Sequence, residues 1–265
     1  MHIVDELIYE RAEKLISRPW LWKLLKPNLY KMLGYKGAVA MADAVKNLSG
    51  RAAFSHMANL LSPAPQIKGL GHIPETGAVI IIANHPTGLA DGVFVYEALK
   101  DKRPDHIYLA NADALRVVPK CEDIIIPVEW VKSKRTREKT KATLRALNQA
   151  ISEERAVVIF PSGALAELTF SGLKDRPWNP TAVSIARKRN VPIVPLYIRA
   201  RNSALYYVLS LVHNELRDIT LFHELLNKKE YQPIMKFGNP IRPDSLPKGG
   251  TKATAYIRSI VERLK

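Results

Sequence analysis

The chain has 265 residues, of which 40 are lysine or arginine and 25 are aspartate or glutamate, so its formal net charge is +15. An apolar share of 47% with 25% charged residues excludes disordered and collagen-like chains and predicts one globular domain, with or without an appended helical segment. The single cysteine, Cys121, excludes an intramolecular disulfide framework and fits a reducing compartment. The positive charge predicts an anionic partner, either nucleic acid, an acidic membrane surface or a phosphorylated substrate.

Two kinds of membrane signal are missing from the sequence. The longest apolar runs, residues 78–83 and 204–212, are far shorter than the roughly 20 residues that a membrane-spanning helix needs. Residues 1–11 carry Asp5, Glu6 and Glu10 and lack the basic flank and apolar stretch of a secretory signal. We therefore expect no membrane-spanning helix and a mature N-terminus.

Residues 1–62 show a helical pattern with little strand signal, and Pro19 interrupts it. The stretch after Pro19 mixes aromatic, leucine and lysine side chains, as helices that lie in a lipid interface do. Its candidate interface residues are Trp20, Trp22, Lys23, Lys26 and Tyr30. Alternatively, the aromatic rings pack this segment onto the domain that follows. We predict an N-terminal amphipathic helical segment over 1–62, followed by a second unit over 63–265.

From residue 63 onward, short apolar runs alternate with helical patterns. The candidate strands are residues 78–83, 106–110, 123–129, 156–160, 191–198 and 233–237. Helical patterns cover residues 136–153 and the C-terminal stretch from Ala253 to Leu264. This alternation predicts an α/β fold with a mostly parallel, mixed sheet covered by helices on both faces. Pro192 and Pro195 limit backbone pairing, so the strand at 191–198 is predicted to be an edge strand or a strand mouth beside a pocket.

The strand at 78–83 runs directly into Asn84 and His85, and Asp91 follows six residues after the histidine. Pro86 and Gly88 indicate a bent turn that could bring the Asp91 carboxylate under the imidazole. A neutral imidazole held by a carboxylate can remove a proton from a hydroxyl near pH 7. Alternatively, His85 caps the next helix and Asp91 is an ordinary turn residue.

A second strand end carries Pro161, Ser162 and Gly163. Proline and glycine allow a sharp turn, so backbone amides and the Ser162 hydroxyl could face a phosphate or a developing oxyanion. The same three residues could equally form a plain turn. The seven histidines are scattered without paired ligand spacing, so no metal site is predicted.

Four segments, taken in order, resemble the successive blocks of the glycerolipid acyltransferases. They are residues 84–92 (NHPTGLADG), 126–129 (IPVE), 160–163 (FPSG) and 191–195 (VPIVP). The resemblance spans about residues 69–240 and is strongest to the hemolysin-like and lyso-ornithine lipid acyltransferase branch, which residues 203–229 also resemble. It implies that His85 and Asp91 are catalytic and that Asn84, Gly88, Pro161, Ser162 and Gly163 contact the substrate.

The sequence departs from the wider family in three places. That family has four residues between the histidine and the aspartate, whereas this chain has five, a spacing shared by the hemolysin-like branch. Ser162 and Leu165 occupy positions that are usually glutamate and arginine, which puts the usual glycerol-phosphate contacts in doubt. The second block usually carries an arginine for the acceptor phosphate, but this chain has Glu129 there. The basic residues beyond it that could replace that contact are Lys132, Lys134, Arg135 and Arg137. Such a run is more commonly a solvated basic surface.

The resemblance implies an O-acyltransferase that moves a fatty acyl group from acyl-ACP or acyl-CoA to the hydroxyl of a lysophospholipid such as lysophosphatidic acid. An alternative acceptor is a lyso-ornithine lipid or another amino-acid lipid, and an alternative of another class is a non-catalytic basic membrane-binding protein. We expect no bound cofactor and a peripheral location on the cytoplasmic face of the inner membrane. The expected partners are an anionic membrane surface, the thioester donor and the lysolipid. Nucleic acid is not expected, since no nucleic-acid-binding motif is present.

Overall fold

A computed structural model describes residues 1–129, 134–170 and 172–265 of the chain. The helices are α1 (Ile3–Arg11), α2 (Glu13–Ile16), α3 (Pro19–Met32), α4 (Tyr35–Val45), α5 (Gly50–Leu61), α6 (Leu89–Leu99), α7 (Ala114–Val117), α8 (Arg137–Ser152), α9 (Thr181–Arg189), α10 (Ala204–Val212), α11 (Asn214–Asp218), α12 (Leu221–Leu226) and α13 (Gly250–Arg263). The strands are β1 (Gln66–Lys68), β2 (Val79–Ala83), β3 (Ile107–Asn111), β4 (Ile125–Val128), β5 (Ala156–Ile159), β6 (Glu167–Thr169), β7 (Gly172–Lys174), β8 (Ile193–Arg199) and β9 (Ile234–Phe237).

Seven strands form one mixed sheet in the order β1-β9-β8-β2-β5-β3-β4. All neighbouring pairs are parallel except β8 and β9, which run antiparallel. The strands β6 and β7 form a separate antiparallel hairpin. Because β2 lies between β8 and β5, the residues that follow it emerge near the middle of the sheet's carboxyl edge, where ligands bind in open α/β sheets.

Helices cover both faces of the sheet, as the sequence predicted. Successive side chains of a strand point to opposite faces. In β2, Val79, Ile81 and Ala83 pack on the face covered by α4, α5 and α6, whereas Ile80 and Ile82 pack on the face covered by α8, α9 and α13. All five residues are fully buried, which is why the strand is a continuous apolar run rather than an alternating one.

The predicted α/β fold is confirmed, and each of the six predicted strands is present within about two residues of its predicted ends. The strand β1 was missed because it is only three residues long, and Gln66 and Lys68 on either side of Ile67 are exposed. The hairpin of β6 and β7 was missed for a similar reason, since its short strands are only partly buried. None of these three strands has a fully buried residue, and burial is what gives a strand its sequence signal.

The prediction that residues 191–198 form an edge strand is wrong. The strand β8 is internal and pairs with β2 on one side and β9 on the other. Pro192 precedes the strand, and its carbonyl accepts a hydrogen bond from Ile80. Pro195 lies within the strand, where its carbonyl accepts a hydrogen bond from the N–H of Gly238 just beyond the end of β9. Pro195 therefore lacks an N–H only where the pairing between β8 and β9 ends, so the sheet loses little hydrogen bonding there.

The N-terminal stretch is helical, with α1 to α5 falling within residues 3–61, and Pro19 stands at the first turn of α3 as the sequence suggested. Helices α1, α3 and α4 share an apolar cluster that includes Val4, Trp22 and Leu29. Two arginines fasten α1 to α7: Arg11 pairs with Asp113, and Arg116 pairs with acidic residues of α1. The division of the chain at residue 62 remains a prediction, and α5 packs into the same cluster as the sheet.

Candidate active site

The end of β2 places His85 at the carboxyl edge of the sheet and holds its backbone on both sides. The N–H of His85 donates to Asp175 Oδ1 at 3.2 Å, and its carbonyl accepts from the N–H of Ala166 at 2.9 Å. Asn84, just before it, is fixed to β8: its Nδ2 donates to the Ile198 carbonyl at 2.8 Å, and its Oδ1 accepts from the Ile198 N–H at 2.7 Å. Through these two bonds, the Asn84 side chain pairs with the backbone of β8 just beyond the end of β2. Asn84 therefore helps to fix the position of His85.

The bent turn predicted at Pro86 and Gly88 brings His85 and Asp91 together. The His85 Nδ1 lies 2.9 Å from Asp91 Oδ2. Asp91 is fully buried in the first turn of α6, and Oδ2 also accepts from the N–H groups of Thr87 at 2.8 Å and Gly88 at 3.0 Å. The Thr87 hydroxyl donates to Oδ1 at 2.5 Å. The aspartate therefore organises the whole turn as well as the imidazole.

Gly88 makes this turn possible. Its backbone has φ of 78° and ψ of −120°, a combination that residues with a side chain rarely adopt. A Cβ at this position would also lie 3.0 Å from the Leu165 side chain. The residue thus serves the turn through its backbone, which presents its N–H to Asp91.

The remaining contacts of the imidazole leave one nitrogen open. The ring stacks on Phe160, with centroids 4.4 Å apart, and the His85 side chain is 18% exposed. Because an ionised carboxylate only accepts hydrogen bonds, Nδ1 carries the proton that faces Asp91 and Nε2 has the free lone pair. Within the described part of the chain, Nε2 has no hydrogen-bond partner. An imidazole held in this way can accept a proton at Nε2.

The turn after β5 lies beside the imidazole, but several of its polar groups make internal contacts. The Gly163 N–H donates to the Phe160 carbonyl at 3.1 Å, and the Ser162 hydroxyl donates to the Ala164 carbonyl at 2.8 Å. The Pro161 carbonyl accepts from the N–H of Asn179 at 2.9 Å. The Gly163 amide and the Ser162 hydroxyl, which the sequence suggested could face a ligand, are thus taken up in holding the turn.

The basic residues predicted beyond the second block are exposed at the start of α8. Lys134 pairs with Glu10 at 3.2 Å, and Arg135 donates to the Glu129 carbonyl at 3.1 Å. Arg135 and Arg137 line an open cavity of about 440 Å³ together with Thr136, Thr140, Lys141 and Leu144. Lys132 lies outside the described residues. The structure places this basic surface at the end of β4, three strands away from β2 in the sheet.

The residues predicted to lie in a lipid interface divide into two groups. Trp20 is 71% exposed, and Lys23 is exposed beside it. Trp22 is only 7% exposed, so its prediction as an interface residue is wrong: the ring points into the apolar cluster beneath α3. Lys26 donates to the Tyr9 hydroxyl at 3.1 Å, and the half-buried Tyr30 donates to Asp5 at 2.8 Å, so both pack α3 onto α1.

Sequence reasoning missed two residues of the site, Asp175 and Trp178. The Trp178 Nε1 donates to Asp175 Oδ2 at 2.9 Å, while Asp175 Oδ1 accepts from the His85 N–H. They lie in a proline-rich loop after β7, and nothing in the local pattern marks a loop as returning to a strand end 90 residues earlier. The signal available was Trp178, which lies between Pro177 and Pro180 and three residues after Asp175.

A buried ion pair joins Glu224 of α12 to Lys228 just after that helix. Lys228 Nζ lies 3.2 Å from Glu224 Oε2, and both side chains are almost completely buried. Glu224 also accepts from the Ser203 N–H at 2.7 Å and from the Ser203 hydroxyl at 2.5 Å. Burial alone would raise the pKa of Glu224, but the hydrogen bonds from Ser203 and the Lys228 charge outweigh it and lower that pKa. Burial lowers the pKa of Lys228, and Glu224 opposes this shift.

Comparison with known proteins finds relatives of this chain. Two curated proteins named lyso-glycine lipid O-acyltransferase are similar to the chain. The one from Phocaeicola vulgatus is 25% identical over 75% of this chain and 72% of its own length. The one from Bacteroides thetaiotaomicron is 25% identical over 98% of this chain and 96% of its own length.

A solved structure shows a similar fold. The crystal structure of the 1-acyl-sn-glycerophosphate acyltransferase PlsC from Thermotoga maritima aligns with a TM-score of 0.51 at 14% identity, covering 97% of this chain and 92% of that chain. In addition, the family model described as Acyltransferase matches residues 64–199, which contain the four blocks and the His85–Asp91 pair. The chain therefore belongs to the acyltransferase family and is an acyltransferase enzyme.

Proposed function

We propose that this enzyme is a membrane-peripheral O-acyltransferase that transfers a fatty acyl group from a thioester donor to the free hydroxyl of a lysolipid. The observation that carries the proposal is the His85–Asp91 pair, with Nδ1 bound at 2.9 Å and Nε2 open at the carboxyl edge of the sheet. A base that is oriented in this way serves a hydroxyl nucleophile, which needs to lose its proton as it attacks.

In the proposed reaction, His85 Nε2 removes the proton of the acceptor hydroxyl while the oxygen attacks the thioester carbonyl. The new C–O bond forms, the tetrahedral intermediate collapses, and the C–S bond breaks. The imidazolium then returns the proton to the leaving sulfur, so the products are an ester and a free thiol. Asp91 stabilises the imidazolium formed in between.

Two features support direct transfer without an acyl-enzyme intermediate. Burial raises the pKa of the Cys121 thiol to about 11, and a thiol with such a pKa is a poor nucleophile. The Ser162 hydroxyl donates to the Ala164 carbonyl, a contact that holds the turn and activates nothing. In this proposal, the turn at residues 161–163 borders the substrate, and Asn84 and Gly88 act by shaping the strand end and the turn.

For the acceptor, we propose an amino-acid lysolipid with a free hydroxyl. Both curated relatives are named for a lyso-glycine lipid, and the chain departs from the family at Ser162 and Leu165, the positions that usually contact a glycerol phosphate. The likeness to the Thermotoga maritima enzyme concerns the fold alone and does not favour its acceptor. Lysophosphatidic acid and lyso-ornithine lipid are the competing acceptors.

For the donor and the membrane, we propose that the positive surface attracts anionic partners. The net charge of +15 suits both an anionic bilayer and an acidic donor such as acyl-ACP or acyl-CoA. On α3, the exposed Trp20 and Leu24 lie beside Lys23, which is the composition of a helix face at a lipid surface. The described residues include no helix long and apolar enough to span a bilayer. A peripheral position on the cytoplasmic face of the inner membrane is part of the proposal.

The proposal is tested by incubating the purified protein with acyl-CoA or acyl-ACP and, separately, lyso-glycine lipid, lyso-ornithine lipid and lysophosphatidic acid. We expect an O-acylated product, identified by its mass, with the amino-acid lysolipids and a lower kcat/KM with lysophosphatidic acid. Preference for lysophosphatidic acid would refute the acceptor class. Absence of any product, combined with binding to anionic vesicles, would instead support a non-catalytic membrane-binding protein.

The membrane part of the proposal has its own test, which is sedimentation with vesicles containing phosphatidylglycerol. We expect the Trp20→Glu/Leu24→Glu variant to bind these vesicles more weakly than wild type. The control is Lys252→Glu, a change at an exposed position of α13. Equal binding by wild type and the α3 variant would exclude α3 as the contact surface.

A further inference from the structure

Asp175 holds the backbone of His85, whereas Asp91 contacts its ring. Its Oδ1 accepts the His85 N–H at 3.2 Å, and its Oδ2 accepts the Trp178 indole N–H at 2.9 Å. The loop that carries it is itself anchored, because Arg258 of α13 donates to the Asp175 carbonyl at 2.9 Å. A chain of contacts thus runs from α13 through Asp175 to the end of β2.

The placement of this carboxylate is energetically unfavourable in itself. Burial raises the pKa of Asp175, and the N–H groups of Trp178 and His85 oppose that shift only in part. Asp175 is half-buried, and a carboxylate that is partly removed from water needs hydrogen-bond donors, which Trp178 and His85 supply. One of these donors is the backbone N–H of His85, so Asp175 is linked directly to the candidate base.

We propose that Asp175 is a positioning residue for acyl transfer, which fixes the backbone of His85 so that the imidazole meets Asp91 on one side and the acceptor hydroxyl on the other. This inference rests on the proposed function, in which His85 is the base. It assigns the two carboxylates different tasks. Asp91 determines the tautomer of the His85 ring and stabilises its positive charge. Asp175 determines the backbone position of His85 and so the position of the ring.

The expected effect follows from the geometry of proton transfer. A displacement of about 1 Å in a catalytic group can cost about a hundredfold in rate. Without Asp175, the His85 N–H loses its acceptor, while its carbonyl still accepts from Ala166, so the backbone is held on one side only. We expect Asp175→Ala to lower kcat by about ten- to a hundredfold and to leave the KM for the acyl donor within about twofold.

A set of paired variants separates positioning from loop stability. In Asp175→Asn, an NH₂ group replaces one of the two carboxylate oxygens, so either His85 or Trp178 loses its acceptor, and we expect an intermediate loss of kcat. Trp178→Phe removes the competing donor and keeps an aromatic ring. The double variant Asp175→Asn/Trp178→Phe should therefore regain kcat and come within about threefold of Trp178→Phe alone. Asp101→Ala, at an exposed turn after α6, is the matched control.

Two results would overturn the inference. One is a folded Asp175→Ala enzyme whose kcat lies within twofold of wild type. The other, which decides the matter if Asp175→Ala does not fold, is an equal kcat for Asp175→Asn and the double variant. A lowered melting temperature with unchanged kcat would show a role in loop stability only.

Failure of the proposed function is distinguishable from failure of this inference. If the wild-type protein acylates no lysolipid, the proposed function fails on its own. The contact is then still tested by the ¹H–¹⁵N resonance of the His85 amide. Its proton should shift upfield in Asp175→Ala and stay in place in Asp101→Ala. An unchanged resonance in Asp175→Ala would refute the contact itself.

Discussion

Replacing Asp91 with asparagine would remove a charge from the site and leave its hydrogen bonds in place. Asp91 Oδ2 accepts from His85 Nδ1 and from the N–H groups of Thr87 and Gly88, while the partner of Oδ1 among the described residues is the Thr87 hydroxyl. An asparagine can present its oxygen to the three nitrogen donors and its NH₂ group to the hydroxyl, which accepts as well as donates. Asp91→Asn therefore tests the charge separately from the turn.

The magnitude follows from the distance between the two charges. Opposite charges about 4 Å apart attract by about 4 kcal/mol at an effective dielectric constant of about 20, and each 1.36 kcal/mol corresponds to about a tenfold change in rate. Since the His85 side chain is 18% exposed, solvent weakens part of this attraction. We expect kcat to fall by about 10² to 10³ and the free energy of unfolding to change by less than about 1 kcal/mol.

The assay is release of free thiol from the acyl donor at saturating acceptor, with chemical denaturation measured on the same samples. Asp91→Ala is the contrasting variant, because it leaves the buried N–H groups of the turn without an acceptor. We expect it to lose about 2 to 4 kcal/mol of stability in addition to activity. An Asp91→Asn enzyme that keeps kcat within threefold of wild type would refute the role assigned to the carboxylate.

Two further predictions concern the scaffold. Burial lowers the pKa of His106 to about 4, so protonation of the unfolded chain below pH 6.5 should cost stability, and about 3 kcal/mol of unfolding free energy should be lost as the pH falls from 6.5 through 4. Denaturation of wild type and His106→Phe across this range checks it, since an equal slope in both proteins would contradict the assignment. Gly88→Ala should cost about 1 to 3 kcal/mol and lower kcat, because it adds a contact with Leu165 to backbone strain. Gly77→Ala is the matched control, with φ of 79° and open space around it, and an equal loss in both variants would contradict the contact.

Much of the fold could be predicted from the sequence, because buried strands and helices leave recognisable apolar patterns in it. Strand β2 is buried on both faces and reads as an unbroken apolar run, and α8 begins after Thr136, whose side chain accepts from the Lys139 N–H. The position of β8 could not be predicted in the same way. Prolines mark a strand as poorly paired, but whether a partner lies beside Pro195 depends on where the distant strand β9 ends.

The site shows the same division between local and distant contacts. The contact between His85 and Asp91 could be predicted because both residues belong to one turn, bent at Pro86 and Gly88. Asp175 reaches His85 from 90 residues away, and no local pattern encodes that distance. Trp22 was assigned to the surface on composition alone, and only the packing of α1 against α3 shows that it is buried.

The central claim is that His85 is the base that activates the acceptor hydroxyl. The most direct measurement is the kcat for thiol release with lyso-glycine lipid as acceptor, compared between wild type, His85→Ala and the control His56→Ala on α5. We predict that His85→Ala loses at least about a hundredfold in kcat and keeps its melting temperature, while His56→Ala keeps the wild-type rate. A His85→Ala enzyme that turns over within threefold of wild type would contradict the account.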